Sequence, residues 1–82
     1  MALVFRIGAL RVVVFTNDHP PPHVHVVGPD RTAKFALNAP DGPVALVEHI
    51  GFRIAELNTI AAEIARHYDA CCAKWRTIHG AL

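Results

Sequence analysis

The sequence predicts an α+β domain, an antiparallel β-meander of four to five strands packed on C-terminal helix. Three observations predict it. As far as Ile50 the chain runs in short β-branched and aromatic stretches separated by Gly, Pro, Asn and Asp. After Gly51 the apolar residues change to three- and four-residue spacing, the period of a helix. No repeat, linker or low-complexity tract divides the 82 residues, so residues 1–82 read as a single domain.

The elements follow in order. Val4–Ile7 and Arg11–Thr16 are the first two strands, with Gly8 in the turn between them. His23–Val27 is the third. Gly28-Pro29-Asp30-Arg31 reads as a turn, and Thr32–Leu37 returns as the fourth strand. Asn38–Pro43 (NAPDGP) is dense in turn formers, and Val44–His49 is a fifth strand or an extended connector. Beyond it, Ile54, Leu57, Ile60, Ala61, Ile64, Ala65, Tyr68, Cys71, Cys72, Trp75 and Ile78 share one helical face. Glu56, Glu63, Arg66, Lys74 and Arg76 take the other side, and Gly80 is a C-terminal stop. The span fits one long helix, or two short ones with a kink near His67–Asp69. Tyr68 and Trp75 are core aromatics on this pattern, Cys71 and Cys72 core and flank.

Composition narrows the function. Apolar residues are 52% of the chain and charged residues 18%, which excludes a disordered protein. The net charge of +1 argues against a binder of nucleic acid driven by overall charge and leaves room for a local basic patch. A domain this small buries only about 60% of the surface of its unfolded chain, so a partner, or self-association as a homodimer, would help it. Cys71 and Cys72 are adjacent and cannot form an unstrained disulfide. With no second thiol pair for a zinc cluster, they point to a reducing, cytoplasmic setting. Arg6 and Arg11 interrupt the apolar start, and no segment reaches the roughly 20 apolar residues of a membrane span. A soluble, unexported protein with no membrane contact is expected.

The stretch Asn17–Val27, NDHPPPHVHVV, concentrates the chemistry. Three prolines fix φ and bias their neighbours toward extended geometry, so they predict a rigid extended lead-in holding His19 relative to His23. Beyond it, side chains alternate across the sheet. Val24 and Val26 suit the core face, which turns His23 and His25 away from the core, toward solvent or a groove. A turn centred on Pro29-Asp30 pairs Val27 with Thr32, Val26 with Ala33, His25 with Lys34 and Val24 with Phe35. Opposed residues have Cβ atoms about 4.5–5.5 Å apart, so two histidines and a lysine gather on one face with Asp18 and His19 at its rim.

Three readings fit that cluster. In the first, His23 and His25 bind zinc, with His19 or Asp18 completing the site. In the second, no cofactor is needed: His23 and His25 carry protons and Lys34 holds a phosphate, an arrangement suited to cleavage of RNA, with Asp18, His19 and Arg11 contacting substrate. In the third, the segment is a stiff surface for another protein. His49, His67 and His79 stand singly and read as surface or boundary residues.

RIGALRVVVFTNDHPPPHVHV, then AKFAL, then KWRTIHG resembles a widespread family of small bacterial proteins filed as a domain of unknown function. The pattern falls on Arg6-Ile7-Gly8, Asn17, Pro21-Pro22-His23-Val24-His25-Val26, Ala33-Lys34-Phe35, Trp75 and Gly80. The segment from Leu37 to Gly51 is its least typical part. The resemblance implies one half of a two-gene bacterial module with a small cognate partner, and hence a toxin-like component of a type II toxin–antitoxin pair, directed at RNA or translation. The alternatives it leaves are a zinc-binding protein using His19, His23 and His25, and a non-enzymatic antitoxin or regulator. It carries no catalytic roles of its own.

Overall fold

A computed structural model describes residues 1–82. The strands are β1 (Ala2–Ile7), β2 (Leu10–Val14), β3 (His23–Gly28), β4 (Arg31–Ala36) and β5 (Ala45–Ile50). They form one antiparallel sheet in chain order, a meander with β3 at its centre. Two helices follow, α1 (Ile54–Arg66) and α2 (Tyr68–His79). The α+β class holds, and the open choices resolve as five strands and two helices.

Each hairpin forms where turn chemistry permits. Gly8 sits at φ 57° between β1 and β2, and Asp30 at φ 58° between β3 and β4. Such left-handed conformations favour Gly and tolerate Asp. The second turn sets the β3–β4 register, which pairs Val24 with Phe35, His25 with Lys34, Val26 with Ala33 and Val27 with Thr32, as the sequence predicts. β2 ends at Val14, two residues before its predicted end, because Phe15–Asp18 close a turn: the Asp18 amide donates to the Phe15 carbonyl at 3.1 Å.

One sheet face is apolar. Leu10, Val12, Val14, Val24, Val26, Ala33, Phe35 and Leu37 turn toward Leu57, Ile60, Ile64, Cys71, Cys72 and Trp75 of the helices. A bulge at Val4 lets both Val4 and Phe5 join this side. The helices part at His67. Its amide reaches both the Glu63 and Ile64 carbonyls, its Nδ1–H donates to the Glu63 carbonyl at 2.9 Å, and its ring stacks on Phe5. The Cys72 side chain is buried with Cys71, so both thiols belong to the core. Burial and the neighbouring Cys72 push the Cys71 thiol up to about 12, which leaves it protonated and unreactive at neutral pH. Tyr68 is only half-buried, its hydroxyl donating to the Leu37 carbonyl at 2.7 Å.

At the far end, Arg31 lies over the Phe52 ring and pairs with Glu56 at 2.6 Å. Glu56 also accepts the Arg53 amide at 3.0 Å, which ties the start of α1 to β4. β5 forms an outer edge, and all six of its residues are exposed. No helix is long and apolar enough to cross a membrane.

Phe35 is 1% exposed at the centre of the core, whereas Ile54 is 76% exposed. Phe35→Ala is expected to destabilise the fold by about 3–5 kcal/mol. Ile54→Ala should change it by no more than about 0.5 kcal/mol. Urea denaturation followed by circular dichroism measures both.

Candidate functional site

The site grows from the turn that ends β2. The Phe15 amide donates to Asp18 Oδ2 at 3.0 Å, so the turn fixes the Asp18 side chain as well as its backbone. The other carboxylate oxygen, Oδ1, faces the start of β3. It lies 3.2 Å from His25 Nε2 and 3.4 Å from His23 Nε2. The donor atoms of Asp18, His23 and His25 all fall within 4.8 Å of one another.

The proline segment brings this about by bending. The sequence predicts an extended lead-in; the chain instead bends at Pro20 and Pro21, and Asp18 comes back against His23 and His25 of the strand it precedes. The ladder is prolonged beyond His23 by the Leu37 amide, which donates to the Pro22 carbonyl at 3.0 Å. The His23 ring Nδ1 lies 2.9 Å from the Pro21 carbonyl. A carbonyl only accepts, so Nδ1 carries the proton and donates it.

Of the two expected surroundings, solvent or a groove, His23 takes the groove. It is 6% exposed and does not open toward solvent. Its ring packs against Trp75 at 5.2 Å and His25 at 5.0 Å. Alternation does turn it off the valine face, but Trp75 of α2 reaches this end of the sheet and covers it. His25 is the more accessible histidine, with a quarter of its side chain exposed and Phe15 against its edge.

A groove of about 440 Å³ opens beside the cluster. Asn17, His19, Pro20, Lys34 and Val47 line it together with Asp18, His23 and His25. Lys34 stands opposite His25, as predicted. His19 is exposed on the rim and lies outside the three-residue grouping; Asp18 takes the place beside the two histidines. Arg11 shares the His25 face of the sheet but does not line the groove, because it sits opposite Val27, two residues along β3.

The electrostatics are tightly balanced. Burial raises the Asp18 carboxyl, but the Phe15 amide bond and the two histidines outweigh it and hold Asp18 below the ordinary carboxylate value. Burial depresses His25, helped by His23 and Lys34 and opposed by Asp18, leaving it below the ordinary histidine value. At neutral pH His25 is therefore an uncharged imidazole and Asp18 an anion.

His79 is a contributor that single-residue spacing does not reveal. Its ring Nε2–H donates at 3.1 Å to the carbonyl of Phe15, the same carbonyl that caps the Asp18 turn. Its ring also lies 4.1 Å from Trp75. The last turn of α2 thus braces both the aspartate turn and His23 across 64 residues of sequence. Only the position of Trp75 on the helical core face hinted at it. His49 is exposed on β5, and His67 serves the helix junction.

The fold and the site define a small α+β domain with a histidine–aspartate cluster at the centre of its sheet. A family model described as "Domain of unknown function (DUF4160)" matches residues 10–76, and the chain belongs to that family. The match begins at Leu10, so Arg6-Ile7-Gly8 lie outside it. No curated protein and no solved structure matches the chain.

His25 binds its proton less readily folded than unfolded, so unfolding takes up a proton as the pH falls below the ordinary value of 6.5. Stability present above pH 6.5 is lost as the pH falls through the lower folded value. The lowered Asp18 removes more below its own ordinary value of 3.8. Urea midpoints of chelator-treated protein should therefore fall between neutral and mildly acid pH, and this loss should be smaller in His25→Gln.

Proposed function

We propose that Asp18, His23 and His25 form a divalent-metal site of the zinc type, and that the domain is a toxin-like component of a type II toxin–antitoxin pair acting on RNA phosphodiesters in the adjoining groove. One observation carries the reading. With Nδ1 bound to the Pro21 carbonyl, His23 turns its Nε2 toward the Asp18 carboxylate 3.4 Å away, beside His25 Nε2. Two imidazole nitrogens and a carboxylate oxygen converging on one place are a donor set suited to such a cation. The spacing suits one. Donors about 2.0–2.1 Å from a tetrahedral ion stand about 3.3 Å apart, close to the 3.2 and 3.4 Å measured here. The Pro21 carbonyl supplies the outer hydrogen bond that fixes a ligating histidine.

Three protein ligands leave a fourth position, and bound zinc there would lower the pKa of a water to about 7. The chain's own groups prepare the rest. Lys34 meets a phosphate oxygen and balances its charge. The depressed His25 stays deprotonated and free to ligate. Trp75 and the proline segment keep bulk water from His23.

A metal-free reading has its own support. His25 donates its Nε2–H to Asp18 at 3.2 Å and borders the groove, so the carboxylate orients the ring and Nδ1 is the nitrogen left to act as a base. Two measurements separate the readings. Elemental analysis of untagged protein should find about one zinc per chain, abolished by His23→Ala and by the near-isosteric Asp18→Asn. Induction of the chain alone should arrest bacterial growth, and folded His25→Ala should relieve the arrest. Arrest without metal leaves the acid–base reading standing. Arrest by His25→Ala at the wild-type level sinks both, and a harmless chain marks an interaction module.

A further inference from the structure

We propose that Arg6 and Arg11 form a second phosphate subsite, so that the ligand of the groove is a single-stranded RNA laid across the sheet rather than a lone nucleotide. The inference rests on the assignment of the groove to an RNA phosphodiester and adds what binds it and along which path.

The register places the pair. Arg6 of β1 stands directly opposite Arg11 of β2. Val13, two residues after Arg11 and therefore on the same face, stands opposite His25. The two arginines accordingly share the face of His25 and Lys34, the side away from the helix-packed core. Like charges directly opposed on neighbouring strands are unfavourable. Nothing in this protein offsets them: neither arginine makes a salt bridge, whereas Arg31 pairs with Glu56 and Arg66 with Glu63. Across the sheet their row continues through Val27, Thr32 and Ile50 and holds no carboxylate. An opposed, unneutralised arginine pair, with Arg6 exposed and Arg11 partly so, fits an anion with several oxygens, and guanidinium groups suit phosphate.

Direction follows from the neighbouring row. There Val13, His25, Lys34 and Glu48 stand in succession. Glu48 closes the β5 side to an anion, so a polyanion reaching Lys34 is turned toward β2 and β1. Arg11 is one strand and two residues from His25, about 8 Å by strand spacing and rise. Arginine side chains bridge that distance, and one extended strand can present successive phosphates to both places. The chain's net charge of +1 does not oppose this, because the cations concerned lie together on one face.

The test is equilibrium binding, by fluorescence anisotropy, of a 2′-O-methyl oligouridylate long enough to cross the sheet and of the uridine dinucleotide, over a range of salt. Arg6→Gln/Arg11→Gln should weaken the oligouridylate more than the dinucleotide and reduce its salt slope by about 1.4, two contacts at about 0.7 each. Arg6→Lys/Arg11→Lys should restore most of the slope, and Arg76→Gln on exposed helix surface should leave it unchanged. If the wild type binds the oligouridylate and the double glutamine variant matches it in affinity and slope, the subsite is overturned while the RNA reading survives. If the wild type binds neither oligomer, both fall.

Discussion

The central strand is closed on both of its faces, and the rest of the protein is arranged around that constraint. β3 buries Val24 and Val26 completely under the helices. On its other side His23 is almost as deeply enclosed, by the proline segment and Trp75. A shift of one residue in β3 would carry two histidines into an apolar core and two valines into a polar groove. The register is thus secured by the same alternation that assembles the site, so the chemistry of the cluster and the stability of the sheet share one set of residues.

Much of this is legible in the sequence because it is local. The four-residue turn between β3 and β4 fixes their pairing, and the pairing brings His25 to Lys34. The change from two-residue to helical period marks where the sheet ends. What is not legible depends on the geometry of one turn and on contacts between distant parts of the chain. The closeness of Asp18 to both histidines arises from a turn in which its carboxylate binds a backbone amide three residues earlier. A reading of the prolines as an extended rod places Asp18 at the rim instead. The burial of His23 is decided by an indole more than fifty residues away in sequence, and the bracing role of His79 by a bond across 64 residues. His67 is similar. Periodicity continues through it, and only its ring contacts with Phe5 and Glu63 show why one helix becomes two.

The two ends of the molecule are built differently. Near the site, α2 closes against the sheet through tilted ring contacts and the bond to Phe15. At the opposite end, an ion pair and an arginine over Phe52 hold α1 to β4. Between them, β5 leaves Leu46, Val47 and Ile50 exposed along an unpaired edge. Such an edge offers its free amides and carbonyls to another strand, on the far side of β4 from the cluster. Val47 of that edge also lines the groove, so contact at the edge would reach the rim of the site.

The chain has a single tryptophan, and it is the residue that covers His23. Its indole lies between two imidazoles, at 5.2 Å from His23 and 4.1 Å from His79, with its N–H donating to the Ala81 carbonyl. No other indole contributes to the emission of the protein. Trp75 is thus an intrinsic optical reporter placed one ring away from the cluster. Whatever fills, protonates or distorts that cluster alters the surroundings of the one fluorophore, so occupancy of the site is registered in the protein's own light without any label.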